Sequence, residues 1–232
     1  MTKSNSRDDL HLYGQMMSPF VARVVLVANS LDITLQPESV PGGSTSSPEF
    51  KAINPIGRVP ALVHGELWLA EGDVICSYLR DLFPDRDTER ADPAKAARGR
   101  LIARIVDLYL MGNYVPLIPL RRQTNPDSAL IESKVKAFKD GLSILETILS
   151  PSPYALGESL GHADCALGPA IDYLSLMMPH FGIPDLTTGH PKLEAWWAFI
   201  RTQDQFALAF REGRADLRAY RVEHNLPPLD GL

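Results

Sequence analysis

The pattern of apolar and polar positions along the chain changes character near Pro84. Before it, short apolar runs alternate with helical stripes. Residues 10–13 (LHLY) predict a short strand, and residues 19–30 (PFVARVVLVANS) a helix with so few polar positions that most of it must be buried. Residues 33–40 predict a second strand, and 41–50 (PGGSTSSPEF) a flexible loop, by their glycine, serine and proline content. ALVH and LWLA flank Gly65-Glu66 and predict a hairpin. Residues 73–83 then carry Val74, Ile75, Tyr78, Leu79 and Leu82 on one helical stripe. The order β-α-β, then β-β-α, describes a small α/β unit.

After Pro84, DRDTERADP is a charged linker, and everything beyond it has helical periodicity. Residues 94–122 predict a long helix with Leu101, Ile105, Leu108 and Tyr109 at helical spacing, kinked or ended by Pro116 and Pro119. Residues 127–149 predict a second helix buried through Leu130, Val135, Phe138, Leu142, Leu145 and Leu149. A third runs from about His162 to Met177, and a shorter fourth starts near Pro191 with Leu193, Trp196, Trp197 and Ile200. The tail HNLPPLDGL is punctuated by proline and reads as loose. The expected division is an α/β domain over 1–84, a linker over 85–93 and an all-helical domain over 94–232.

Composition narrows the functional classes. The 232 residues carry a net charge of -5, and the single adjacent basic pair, Arg121-Arg122, makes no groove for nucleic acid. No run approaches the eighteen or so apolar residues of a membrane span. The opening MTKSNSRDDL lacks the apolar core of a secretion signal. Cys76 and Cys165 are too far apart for a CxxC motif, and the six histidines are scattered, so no zinc site is recognisable. The expectation is a cytoplasmic, reduced, metal-free protein with no nucleic-acid or membrane partner.

One short stretch, Met16-Met17-Ser18-Pro19-Phe20, poses the chemical question. Ser18 immediately precedes a helix whose first residue is proline. Its hydroxyl either caps that helix, accepting a backbone N–H, or points at a substrate. The residues of this stretch leave both readings open.

Four stretches together resemble the cytosolic glutathione transferases: LYGQMMSPFVARVVLVA, NPIGRVPAL, LAEGDVICSYL and GESLGHADCAL. They occur in order, at fitting spacings, over nearly the whole chain. The resemblance, to a bacterial-type member with its serine in an SPF motif, implies a thioredoxin-like amino-terminal domain followed by an all-α domain. It also implies glutathione as co-substrate, a homodimer and a detoxifying role. Ser18 would then donate a hydrogen bond to the glutathione sulfur, favouring the thiolate, since hydrogen bonding to the charged form of an acid lowers its pKa. A cis peptide before Pro60 would free the Val59 backbone to pair with the cysteinyl unit like a strand edge. Glu71 would meet the γ-glutamyl ammonium, the helix amides at Gly72 and Asp73 the neighbouring carboxylate, and Arg58 the glycyl carboxylate; Phe20 completes the set. Gln15, Met17, Tyr109, Asn113 and Tyr114 are candidates for an electrophile site, with core packing the alternative for each. Tyr13 is the weaker rival donor, expected to end the strand and point into the fold.

Two positions depart from the family pattern. Gly72 stands where a hydroxyl residue is usual, removing one donor to the γ-glutamyl carboxylate. Gly161 stands where a serine or threonine usually pairs with Asp164, so half of that reciprocal cap is missing, and Asp164 is expected to be structural. Rival functions are a non-enzymatic binding or regulatory protein on the same fold, or a glutathione-dependent lyase, isomerase or disulfide reductase. The last needs a nucleophilic cysteine where this chain has Ser18.

Overall fold

A computed structural model describes residues 9–229 and 231–232. Most of the opening segment that argued against a secretion signal, residues 1–8, and position 230 of the tail lie outside the described residues. The chain divides into two compact units: one holds the residues up to Ala91 together with Ala207–Pro228, the other Asp92–Phe206 with Leu229–Leu232.

In the first unit, strands β1 (Leu10–Tyr13), β2 (Pro37–Glu38), β3 (Ala61–His64) and β4 (Leu67–Ala70) form one sheet in the order β2-β1-β3-β4. β1 runs parallel to β2 and antiparallel to β3, with Leu12 opposite Leu62. β3 and β4 are the expected hairpin, turning through Gly65 at a φ of 60° that glycine adopts without strain. Helices α1 (Pro19–Ser30), α2 (Pro48–Ile53) and α3 (Gly72–Leu82) complete the unit. Val21, Val24, Leu26 and Val27 of α1 are fully buried, as are Leu12, Leu62, Ile75 and Leu79. Burying a valine or leucine side chain stabilises by about 1.5–3 kcal/mol before entropy is counted, so this core fixes where α1 begins.

The structure shortens the predicted strand over 33–40 to Pro37–Glu38 and replaces part of the predicted loop over 41–50 with α2. The signal for α2 was present: Ser47 caps it, Pro48 opens it and Phe50 anchors it, fully buried. On α3, Val74 is half exposed rather than part of the buried stripe, and Cys76 is buried in its place.

The second unit begins with α4 (Pro93–Ile105), whose N-cap Asp92 accepts from the amides of Ala94 and Lys95 at 3.1 and 2.9 Å. The helix widens into a π turn at Val106–Met111, returns to a single turn, α5 (Gly112–Tyr114), and tightens into 3-10 turns at Val115–Leu117 and Pro119–Arg122. Pro116 and Pro119 thus convert the helix where sequence predicted a kink. Of the apolar residues expected on its face, Ile105 is buried, but Leu101, Leu108 and Tyr109 are about half exposed. Ile102, Val106, Leu110 and Met111 are buried instead; the extra residue of the π turn re-aims the face at Leu110 and Met111, whereas Ile102 precedes the turn. Residues Pro93–Arg122 include an eighteen-residue window of mean hydropathy 1.4, 44% of it buried. That corrects the expectation that no run comes near membrane-span composition, and a core helix meets the same composition.

Helices α6 (Ser128–Ile148), α7 (His162–Met177) and α8 (Pro191–Ile200) follow. Phe138, Leu142, Leu145 and Leu149 are buried as expected, whereas Leu130 is exposed. Asp164, at the start of α7, is buried and accepts from the amides of Ala155 and Gly161 and from the Trp196 indole at 2.8, 2.9 and 2.8 Å. Gly161 has no side chain to return the cap, as its identity required. The last helix, α9 (Asp204–Glu223), was not predicted as an element, and the first unit takes its residues from Ala207 onward. A sequence division that gives everything after 94 to one helical domain does not capture that return.

Candidate active site

The connection from β1 to α1 ends on a helix-start serine, Ser18. Gly14, with φ of 146°, donates its amide to the Glu38 carbonyl at 2.9 Å. A β-carbon there would lie 2.5 Å from Val21 Cγ2 and 3.3 Å from Val59 Cβ, so both conformation and space require glycine. Ser18 sits at the N-cap of α1 with extended backbone (φ -82°, ψ 118°), and its carbonyl accepts from the amides of Val21 and Ala22 at 3.0 Å. Its side chain makes no capping bond. Ser47 provides an internal comparison, because it too precedes a proline at a helix start. Its Oγ accepts from the Phe50 amide at 3.1 Å and donates to the Pro41 carbonyl at 2.7 Å.

The segment after α2 forms the second wall. Asn54 is fully buried; its Oδ1 accepts from the Ile56 amide at 3.1 Å and its Nδ2 donates to the Arg58 carbonyl at 2.7 Å. The Gly57 amide closes the turn on the Asn54 carbonyl at 2.9 Å. The Val59–Pro60 peptide is cis, as the resemblance implied. Pro60 is buried, Val59 half buried and the Arg58 side chain exposed.

Glu71 and Gly72 form the third wall. Glu71 is the exposed N-cap of α3, held in the left-handed region at φ 67°, ψ 116° without a side-chain capping bond. A non-glycine residue there is strained, and such strain gathers at functional sites. Gly72 itself lies outside that region. A β-carbon on Gly72 would stand 3.2 Å from the Phe20 carbonyl oxygen and 3.8 Å from Pro60 Cγ. Thus Phe20, Pro60 and Gly72 meet, while Gly14 touches Val59, and the three segments converge at the mouth of α1. Two helix N-termini, of α1 and α3, are part of this convergence, and each carries partial positive charge from amides without intrahelical partners.

Tyr13 ends β1, as expected, with its ring edge-on to Phe50 at 6.4 Å between centroids. Burial, followed by the Glu38 carboxylate, pushes its phenol up from the ordinary value of 10.0. Gln15 is exposed, Met17 half buried. In the second unit, Asn113 Nδ2 on α5 donates back to the Tyr109 carbonyl of the π turn at 2.8 Å, and Lys134 reaches Asn113 Oδ1 at 3.4 Å. Tyr114 is buried, its hydroxyl 3.4 Å from that of Tyr173, so its ring belongs to the core of that unit. Among the described residues, no group of three or more histidine, cysteine, aspartate or glutamate side chains comes together as a metal site would require.

Sequence reading missed Asn54, whose Asn-Pro-x-Gly context signals a turn, and Arg23. Arg23 is buried, with its guanidinium 5.6 Å from the centre of the Phe20 ring, a cation–π distance. It also missed Asp216, whose carboxylate takes the Met16 amide at 2.8 Å. No local pattern signals a contact across 200 residues.

Known proteins resemble this chain along both units. The family model described as glutathione S-transferase, N-terminal domain, matches residues 12–87, and that described as glutathione S-transferase, C-terminal domain, matches residues 128–198. The chain is 30% identical over 208 residues to glutathione S-transferase 3 of Zea mays, covering 85% of this chain and 91% of that one. It is 29% identical over 212 residues to a maleylacetoacetate isomerase of Pseudomonas aeruginosa, covering 88% and 93%. The solved structure of glutathione transferase F7 from Populus trichocarpa superposes with a TM-score of 0.71 at 26% identity, covering 88% of this chain and 98% of that one. Matched by both family models and 30% identical to a relative over 85% of its length, the chain belongs to the glutathione S-transferase family.

Proposed function

We propose that this protein is a glutathione transferase in which Ser18 activates the glutathione thiol for attack on a hydrophobic electrophile. The observation that carries the reading is a helix-start serine whose hydroxyl makes no capping bond, placed where three wall segments meet. Glutathione lies along those walls. Its cysteinyl unit pairs with the Val59 backbone in the manner of an added strand. Its γ-glutamyl carboxylate meets the amides that open α3 and its ammonium meets the Glu71 carboxylate. Arg58 takes the glycyl carboxylate, and Phe20 flanks the chain at Gly72.

The chemistry then follows from charge. A thiol with pKa near 8.5 is mostly protonated at neutral pH. The Ser18 hydroxyl donates to the sulfur, and the α1 N-terminus adds positive potential, so the thiol proton departs to solvent and the thiolate persists. The sulfur lone pair forms a bond to the electrophilic carbon while the leaving group departs with its bonding pair. No covalent bond to the enzyme forms. Gln15 and Met17, on the same connection as Ser18, are the residues offered to the electrophile; the adaptable thioether of half-buried Met17 suits an apolar or aromatic substrate.

Likeness to an isomerase at 29% identity supports a second reading, in which the same thiolate adds to a substrate double bond and is released again. The deciding experiment incubates the protein and glutathione with a panel of halogenated, epoxide, ether and unsaturated-diacid substrates and reads products by mass spectrometry. A glutathione adduct supports transfer, and an isomer of unchanged mass supports the second reading. Retention on immobilised glutathione with no turnover of any substrate would instead make the protein a binding or regulatory member of the family. We further propose a homodimer, supported by half-exposed Val74 on α3 and by Leu101 and Leu108 on the long helix, apolar side chains that a partner surface would cover.

A further inference from the structure

The β1–α1 connection is held in place from the far end of the sequence. Its middle residue, Met16, is buried, and both of its backbone polar groups face α9, all within the first unit. The Met16 amide donates to Asp216 Oδ2 at 2.8 Å. The Met16 carbonyl lies against Gly213: a β-carbon there would stand 2.8 Å from its oxygen and 3.9 Å from Met17 Cα. Gly213 is an ordinary helical residue, with no left-handed φ to explain the glycine, so its role is close approach. One turn of α9 therefore supplies an acceptor for the amide and a gap for the carbonyl of the same peptide segment. Ser18 follows two residues later, its own amide tied to the Gln15 carbonyl at 3.0 Å.

We propose that Asp216 and Gly213 form a latch that positions the Met16–Ser18 segment, so that α9 sets the geometry in which the Ser18 hydroxyl meets the glutathione sulfur. Asp216 is a positioning residue: it acts through the Met16 amide and touches no substrate. The bond is charge-assisted, hence shorter and more directional than a neutral one, which suits the fixing of a loop. The walls that hold the rest of glutathione, at Val59 and Glu71, do not depend on the latch. Its loss should therefore appear in turnover and in the sulfur's ionisation far more than in glutathione affinity. This inference rests on the proposed role of Ser18.

The test compares full-length Asp216→Ala, Asp216→Asn and Gly213→Ala with the unsubstituted protein and with Ser18→Ala. Readouts are turnover, glutathione affinity by calorimetry, thiolate absorbance of the glutathione complex against pH, and melting temperature. Asp216→Ala should lower turnover about tenfold and raise the apparent thiol pKa by about one unit, a tenfold change in the ionisation equilibrium. Glutathione affinity should stay within about twofold. Asp216→Asn keeps an acceptor oxygen and should restore turnover to within about threefold of the parent. In Gly213→Ala, helix propensity favours alanine, so the fold is kept while the β-carbon displaces the Met16 carbonyl, and turnover should fall as in Asp216→Ala. Adding Asp216→Ala to Ser18→Ala should produce no further rise in thiol pKa, because the latch works through that hydroxyl. The latch is overturned if Ser18→Ala impairs ionisation while Asp216→Ala and Gly213→Ala do not, or if the Ser18 and Asp216 effects simply add. If Asp216→Ala fails to fold, Asp216→Asn and Gly213→Ala still decide. If Ser18→Ala itself changes nothing, the Ser18 reading falls, and the latch with it.

Discussion

Ser18 and Ser47 occupy the same local sequence context, a serine before the proline that opens a helix, yet their side chains do different things. Ser47 caps α2, so Ser47→Ala should cost about 1 kcal/mol of stability, visible as a lowered melting temperature. Ser18 caps nothing, so Ser18→Ala should cost less than that, yet lower turnover at least tenfold; unchanged turnover would leave Ser18 as a backbone cap only. Ser18→Cys should form a mixed disulfide with glutathione under oxidising conditions, since a thiol at a helix N-terminus ionises readily; mass spectrometry detecting none would mean that residue 18 does not face the sulfur. Gly72 needs a different prediction from the one its sequence suggests. A hydroxyl there should add a bond to the γ-glutamyl carboxylate, but the β-carbon carrying it would press on the Phe20 carbonyl at 3.2 Å. Calorimetry should therefore find weaker glutathione binding for Gly72→Ala than for the parent, with Gly72→Ser recovering several-fold over Gly72→Ala, as one hydrogen bond to a charged group allows. Equal affinities for the two variants would show that no carboxylate docks beside residue 72. The family resemblance exposed the missing hydroxyl; it could not expose the Phe20 carbonyl that makes the gap narrow.

At the scale of elements, what was legible is what periodicity and punctuation encode locally. β1, α1, the β3–β4 hairpin and α7 lie where their apolar patterns placed them, although Leu67 and Trp68 of β4 are exposed. α2 was read as loop because the glycine and serine before it outweighed a helix start of only six residues. α9 went unpredicted because its apolar contacts, Phe206, Phe210 and Leu217, are diluted by charge, and Gly213 breaks the stripe where Met16 fits. Asp164 shows the reverse case, a residue whose structural role the family resemblance implied. Replacing it by alanine would leave three donors, two amides and the Trp196 indole, without their acceptor in a buried site. The cost should be at least about 3 kcal/mol, read by denaturant unfolding, and a loss under about 1 kcal/mol would show that water serves those donors equally well. The β1–β2 pair carries a weaker, pH-dependent contribution. His11 has its pKa raised from 6.5, chiefly by its hydrogen bond to Glu38 at 2.7 Å. A raised folded-state pKa means that this contribution is complete below about pH 6.5 and fades as pH rises through the folded value. The melting temperature should therefore slip slightly between about pH 6 and 8, less so in His11→Gln, the effect staying small because the pair is exposed.

At the scale of the molecule, the proposed glutathione site draws on segments that are remote in sequence but belong to the first unit, as do the α9 residues of the proposed latch. The proposed dimer is checked by light scattering: about twice the 25.6 kDa chain mass at micromolar concentration is expected, and the mass of one chain would refute it. The claim on which the rest depends is that this assembly exists to ionise a thiol through one uncapped hydroxyl. The most direct measurement is a pH titration of thiolate absorbance for glutathione bound to the parent protein and to Ser18→Ala. The parent complex should titrate at least about one unit below free glutathione, and Ser18→Ala should move back toward the free value. Identical titrations for the two complexes would contradict the account.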